Sequence, residues 1–205
     1  SNDSNAKPYI NWNIPDSGKT YGQHYYCISI NQDNFNKIVN NIKIIQPIAY
    51  VKKGIFQNMT LKDPTTINVN HLFLHNNDEN IFFSKNPKFD GYLYEDIIQP
   101  YLKTNMIVQS WRRAPMQKPS CPDEYPYYTI DVNRTAFPNG DTWSYTQDHS
   151  KWAVTDGTDL KMGCLCDMNR MTSQSSRGGS CLCSSNKKIY DALSSIISVT
   201  STCEV

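Results

Sequence analysis

A mixed α/β fold is what this sequence predicts, and three observations predict it. Short runs rich in aromatic and β-branched residues alternate with segments whose apolar residues recur at helical spacing. The two kinds of segment interleave along the chain rather than separating into blocks. The third observation is size: 205 residues, 39% of them apolar and 12% aromatic, suffice to bury a core as one domain or a tight pair.

The elements follow in chain order. Residues 1–19, with Pro8, Pro15 and Gly18, read as an extended lead-in, and 20–205 as the folded part. Tyr25-Tyr-Cys-Ile-Ser-Ile30 has strand composition. Phe35, Ile38, Val39, Ile42 and Ile45 follow at helical spacing, with Asn31 or Asp33 placed to cap the start and Pro47 to stop the end. Across 51–88 short apolar pieces alternate with turn residues, which suggests strands and loops. Leu93, Ile97, Tyr101 and Leu102 mark a second helix, kinked at Pro100. Residues 106–111, 127–132 and 151–154 read as further strands, and 186–198 as a last helix with Ile189, Leu193, Ile196 and Ile197 inward. If the chain divides into halves, the Pro-rich stretch 114–126 is the boundary.

Composition excludes several classes. Thirteen tyrosines argue against disorder, because disordered chains are poor in aromatics. No run approaches the roughly 18 apolar residues of a membrane span, so no membrane partner is expected. Residues 1–7 are polar and lack the apolar core of a signal peptide, so any signal is expected to have been removed or never present. A net charge of +1 leaves no strong electrostatic footprint for nucleic acid.

The seven cysteines, at 27, 121, 164, 166, 181, 183 and 203, crowd the C-terminal end. Such clustering in a polar chain reads first as disulfides formed in an oxidising compartment. The rival is a zinc module built on Cys164-x-Cys166 and Cys181-x-Cys183, although structural zinc usually wants two to four residues between paired cysteines. An odd count leaves one thiol free or paired outside the chain. Sequons at Asn2, Asn58 and Asn133 permit a secreted glycoprotein without arguing for one, since Asn, Ser and Thr are abundant.

One segment looks chemical: Gln147-Asp-His-Ser-Lys-Trp152. In a strand, His149 and Lys151 stand two apart and share a face. An imidazole beside an ammonium suits phosphodiester chemistry, the lysine holding phosphoryl oxygens while the histidine attacks phosphorus or protonates the leaving oxygen. An isolated H-x-K carries little weight, but its surroundings add to it. Asp148-His-Ser-Lys-Trp152, Cys164-Leu-Cys-Asp-Met-Asn-Arg170, Arg177-Gly-Gly179 and Cys183 resemble the C-terminal half of the acid deoxyribonuclease II family. Upstream, Thr20-Tyr-Gly-Gln23 with Cys27, Gly54-Ile-Phe56 and Ala136-Phe-Pro138 resemble the same family in the same order.

The resemblance implies a phospholipase D-like fold, a mixed sheet flanked by helices, in which two halves each give one H-x-K to a single site. It implies DNA as substrate, cleavage at acidic pH with no cofactor or metal, a phosphohistidine intermediate, and a secreted or lysosomal setting. It makes His149 and Lys151 the motif of the second half, over 127–203, and Asn169 the residue that helps grip the phosphate. Arg170 and Arg177 are expected to contact substrate. Cys121 with Cys203, and Cys164 with Cys183, match family disulfides. Cys166 and Cys181 are then left over, and they face each other if the two Cys-x-Cys segments are neighbouring antiparallel strands. Cys27 matches a cysteine whose partner lies outside the chain, so it is expected to be free.

The departures shape the expectation as much. The family's first H-x-K lies upstream of Thr20-Tyr-Gly-Gln23, and nothing in residues 1–19 supplies it; His24, His71 and His75 have no lysine two residues on. The first half is therefore expected to be largely missing, with an upstream segment or a second chain completing the site. Trp111-Arg-Arg113 stands where relatives often carry Trp-His-Lys, and Ser180 where they carry a third glycine. Cys166 replaces the usual glycine before Asp-Met-Asn-Arg, and is expected to crowd the phosphate pocket. The alternative to an acid endonuclease is a catalytically inactive secreted relative that binds DNA or a host protein.

Overall fold

The computed structural model describes residues 16, 20–24, 26–47, 60, 63–74 and 78–203. Most of the lead-in, Tyr25, the Gly54-Ile-Phe56 motif, Asn2, Asn58 and His75 lie outside the described residues.

Helix α1, Gln32–Ile45, begins where Asn31 accepts the Asn34 backbone N–H at 2.9 Å. Such a cap contributes about 1 kcal/mol. The helix ends at Gln46, which takes the left-handed conformation (φ 53°) ahead of Pro47. Its buried stripe is Asn34, Val39, Asn41 and Ile44, set one residue back from the fully apolar stripe the spacing predicts, with Phe35, Ile38, Ile42 and Ile45 half-buried. The amides explain the shift. Asn34 exchanges hydrogen bonds with both backbone groups of Phe73, and Asn41 accepts from Ser84 Oγ at 2.5 Å.

The described strands form one mixed sheet in the order β1-β2-β8-β7-β6-β3-β4-β5, with β9 also on β4. These are β1 Ile67–Phe73, β2 Glu79–Lys85, β3 Met106–Gln109, β4 Thr129–Ala136, β5 Thr142–Ser144, β6 Trp152–Thr155, β7 Gly163–Cys166, β8 Gly179–Ser184 and β9 Ile197–Thr200. Only β3 and β4 pair in parallel, so the strands on either side of the Pro-rich stretch are neighbours in one sheet.

Alternation along the strands separates two apolar clusters. Ile81, Phe83, Met106, Val108, Ala153 and the four clustered cysteines lie on one face, beneath a helical segment that runs as a π-turn over Tyr94–Ile98 and continues as α2, Gln99–Leu102. Pro100, which has no N–H to donate, stands just past the change between the two hydrogen-bond patterns. Trp152 and Val154 lie on the opposite face, against Tyr190 and Leu193 of α3, Lys187–Ser194. Asn186 caps α3 by accepting from the Lys188 and Ile189 N–H groups.

Three sequence expectations are corrected. Residues 26–30 form no strand: Tyr26 and Ile30 are exposed, and no strand among the described residues pairs with them, so propensity alone does not suffice. The last helix stops at Ser194, and the β-branched run after it becomes β9 against β4. In the second helix Tyr101 is exposed, while Tyr94 and Ile98 are buried.

All three expected disulfides form. Register sets two of them, since Cys164 faces Cys183 and Cys166 faces Cys181 across the β7–β8 ladder, with Cα atoms 3.9 and 4.0 Å apart. The third, Cys121–Cys203, ties the chain ahead of β4 to the end of β9. Cys27 is free and exposed. With the four clustered sulfurs bonded to one another, the zinc module loses the thiolates it requires. Cys166 is bonded to Cys181 and packs in the core, so its sulfur points into the apolar cluster.

Candidate active site

The pairings place four strand ends together: the end of β3 with Trp111 beyond it, the approach to β6 with His149 and Lys151, the exit from β7 with 167–170, and the entry to β8 with 177–179. The local chain explains how 148–151 is held. Asp148 accepts the Ser150 N–H at 2.9 Å, forming a tight turn, and the Gly22 carbonyl accepts the His149 N–H at 3.0 Å. A Cβ at Gly22 would run into the Asp148 carboxylate, which accounts for the glycine of the Tyr-Gly-Gln motif. The Lys151 carbonyl accepts the Cys166 N–H at 2.8 Å, so Lys151 enters the β6–β7 ladder.

The imidazole of His149 is fixed by rings. Tyr21 stacks on it with centroids 4.3 Å apart and planes 4° from parallel, and Trp111 lies on it at 4.4 Å and 46°. Trp111 is itself fastened by its indole N–H to the Thr146 carbonyl at 3.1 Å, and the Arg113 guanidinium sits 4.2 Å over its ring. Orientation by a carboxylate or a backbone carbonyl, the arrangement expected of a catalytic histidine, is not what is seen among the described residues. Burial lowers the His149 pKa, the Lys151 and Arg113 charges lower it further, and Asp148 opposes them.

Lys151 folds its ammonium back onto the His149 carbonyl. Burial lowers its pKa as well, against the raising effect of Asp148 and Asp167. Asn169 follows β7 and makes no side-chain hydrogen bond among the described residues; its Oδ1 is buried and unpartnered. Asp167 accepts from the Ser180 N–H at 2.7 Å and from Ser180 Oγ at 2.8 Å. No hydrogen bond among the described residues joins Asn169 to His149 or Lys151.

Arg170 is corrected. It is 0% exposed, with Nε on Glu95 at 2.6 Å, Nη1 on Asp131 at 2.5 Å and Nη2 on the Lys118 carbonyl at 2.8 Å. Every direction of the guanidinium is spent inside the protein, so it cross-links the core instead of touching substrate. Burial pushes its pKa down, but the two carboxylates outweigh that and hold it above the ordinary arginine value. Arg177 is exposed and lines an open cleft of about 420 Å³ with Gln46, Pro87, Asp167 and Met168. The two glycines after it are dictated by close approach, since a Cβ on Gly178 would strike the Ile45 carbonyl and one on Gly179 the Met168 side chain.

Four side chains at this edge escaped the sequence reading: Tyr21, His24, Trp111 and Arg113. The Tyr-Gly-Gln and Trp-Arg-Arg segments were visible, but nothing local says that they meet at His149. His24 lies on the segment that runs beside Asp148, and its Nδ1 is buried without a hydrogen-bond partner. Burial lowers its pKa, with Lys151 lowering it further and Asp148 raising it. His71 is spent elsewhere, between Tyr101 and Glu79. The Asn133 amide accepts from Arg112 at 3.0 Å and Thr135 is buried, so that sequon is folded into the protein.

The family model described as Deoxyribonuclease II matches residues 4–203. The chain belongs to the deoxyribonuclease II family. It is 32% identical over 200 residues to Deoxyribonuclease-2-alpha of Mus musculus, covering 89% of this chain and 55% of that protein. It is 28% identical over 202 residues to Plancitoxin-1 of Acanthaster planci, covering 91% and 55%. The chain thus spans about half the length of the curated relatives it matches. The mixed sheet with helices on both faces accords with the phospholipase D-like fold of deoxyribonuclease II proteins. Among the described residues no helix is long and apolar enough to cross a membrane.

Proposed function

We propose that this deoxyribonuclease II chain carries the second-half catalytic motif of an acid endodeoxyribonuclease that hydrolyses DNA phosphodiesters without a metal, in a secreted or lysosomal setting. The observation that carries this reading is the family match over residues 4–203 with Asp148-His-Ser-Lys-Trp152 intact within it. Lys151 and Asn169 hold the phosphoryl oxygens, and donors aimed at those oxygens stabilise the charge that develops there. The Asn169 Nδ2 donates to nothing among the described residues, and its N–H groups suit that task. Arg177, exposed on its cleft, meets the DNA backbone beyond the scissile phosphate.

The nucleophile is a second histidine, supplied by an upstream segment or a second chain. Its ring nitrogen attacks phosphorus, the bond from phosphorus to the departing oxygen breaks, and His149 delivers its proton to that oxygen. Water then attacks the phosphohistidine, giving its proton to the now neutral His149 and restoring both residues. The lowered His149 pKa means that the protonated form demanded by the first step is populated only in acid, which supports an acidic optimum.

The test is plasmid cleavage at pH 5 in EDTA by a full-length protein carrying this segment, beside its His149→Ala variant. Cleavage lost in the variant with DNA binding retained is the expected result. A full-length protein that binds DNA and never cuts it would establish the inactive relative instead.

A further inference from the structure

The ring nitrogens of His149 have no hydrogen-bond partner among the described residues, yet a residue that transfers a proton to one oxygen must hold its ring in one orientation. Two aromatic faces are in contact with it. Tyr21 is nearly parallel at 4.3 Å, and Trp111 is tilted at 4.4 Å. Trp111 is anchored through Thr146 and overlaid by Arg113. Tyr21 precedes Gly22, whose carbonyl takes the His149 N–H and whose missing side chain admits Asp148. The same backbone contact that brings the strand fragment to 148–149 therefore sets the tyrosine over the imidazole.

We propose that Tyr21 is a positioning residue for the reaction, which with Trp111 clamps His149 by stacking and takes the place of the usual hydrogen-bonded orienting group. This rests on the nuclease reading for its catalytic consequence, but the clamp itself is a property of the chain. The charges facing the ring are Lys151, Arg113 and Asp148. None lies between the imidazole and Tyr21, so removing the phenol ring changes the packing and hydration of His149 and leaves those charges in place. The π-face, not the hydroxyl, does the holding, so phenylalanine is a full substitute and leucine is not.

The test is proton NMR of the His149 ring across pH in the 205-residue chain, as wild type, Tyr21→Phe and Tyr21→Leu, with His149→Gln to assign the resonance. Beside it, kcat and KM are measured for the same substitutions in a full-length protein that cleaves DNA. Wild type and Tyr21→Phe should share an upfield, ring-current-shifted resonance. In Tyr21→Leu the resonance should move downfield, and its midpoint should rise toward the ordinary histidine value of 6.5 as water reaches the ring. In the full-length protein Tyr21→Leu should lower kcat by about 10- to 100-fold, the scale of a misplaced catalytic group, with KM nearly unchanged. A Tyr21→Leu chain that keeps its circular dichroism and the wild-type resonance and midpoint overturns the clamp. Shifted resonances in a full-length protein that never cuts DNA uphold the clamp and overturn the nuclease reading.

Discussion

Arg170 and Asp131 meet at 2.5 Å in the interior, with side chains 0% and 1% exposed, and Asp131 also receives Arg112 at 3.0 Å. Removing one partner of such a network strands the others in a medium that solvates them poorly, at a cost of about 3–5 kcal/mol. Arg170→Gln should therefore lower the unfolding free energy by roughly that amount in urea. The folded fraction should bind DNA with unchanged affinity. Arg170→Lys should fare little better, because a lysine cannot reach Glu95, Asp131 and the Lys118 carbonyl at once.

The two lowered histidines make stability depend on pH in a defined direction. The folded pKa values of His24 and His149 lie below the unfolded value of 6.5, so the unfolded chain binds the extra protons first. Their contribution is complete above pH 6.5 and is lost as pH falls through the folded values. Urea midpoints should fall between pH 7 and pH 5, and His24→Gln should flatten the fall. Lys151→Met should raise the His24 titration midpoint, since the lysine charge is one cause of its depression.

The disulfides should rank by the loop each closes. Cys121–Cys203 spans 82 residues and Cys164–Cys183 spans 19. Chain entropy assigns the longer loop about 4.5 kcal/mol and the shorter about 3 kcal/mol. Cys166–Cys181 is nested in the second loop and should add less than either. Paired Cys→Ser variants followed by thermal unfolding check the order.

Arg113 is exposed beside the candidate site, and its contact with Trp111 keeps the cation at that edge. An exposed guanidinium there favours contact with a polyanion. Arg113→Ala should reduce the slope of log affinity for DNA against log salt by about 1, as for one lost phosphate contact. An unchanged slope by fluorescence anisotropy would remove Arg113 from the DNA path.

What the sequence disclosed and concealed follows the range of the interactions. Helix α1 was legible because Asn31, the apolar period and Pro47 all act within a few residues. The Cys164–Cys183 bond was legible through the family resemblance, and Cys166–Cys181 because one antiparallel register of the two Cys-x-Cys units pairs both. Residues 26–30 misled because strand propensity does not supply a partner strand, and β9 was hidden because Ile196 and Ile197 prolong the apolar period of α3. The burial of Arg170 depends on Glu95 and Asp131, 75 and 39 residues away, and an arginine in a conspicuous motif reads as a surface ligand without them. Tyr21 and Trp111 were concealed for the same reason, since only the sheet topology and the Gly22–Asp148 contact bring them to His149.

The role assigned to His149 is tested most directly by relieving the need for it. In a DNA substrate whose departing oxygen is replaced by sulfur, the leaving thiolate needs no proton, so a missing general acid costs little. The measurement is single-turnover cleavage of the oxygen and sulfur substrates at pH 5 in EDTA by a full-length protein carrying this segment, with and without His149→Ala. The variant should fail on the oxygen substrate and cut the sulfur substrate at close to the wild-type rate. Equal failure on both would contradict that role, making His149 the attacking group, and undiminished cleavage of the oxygen substrate would remove His149 from the reaction.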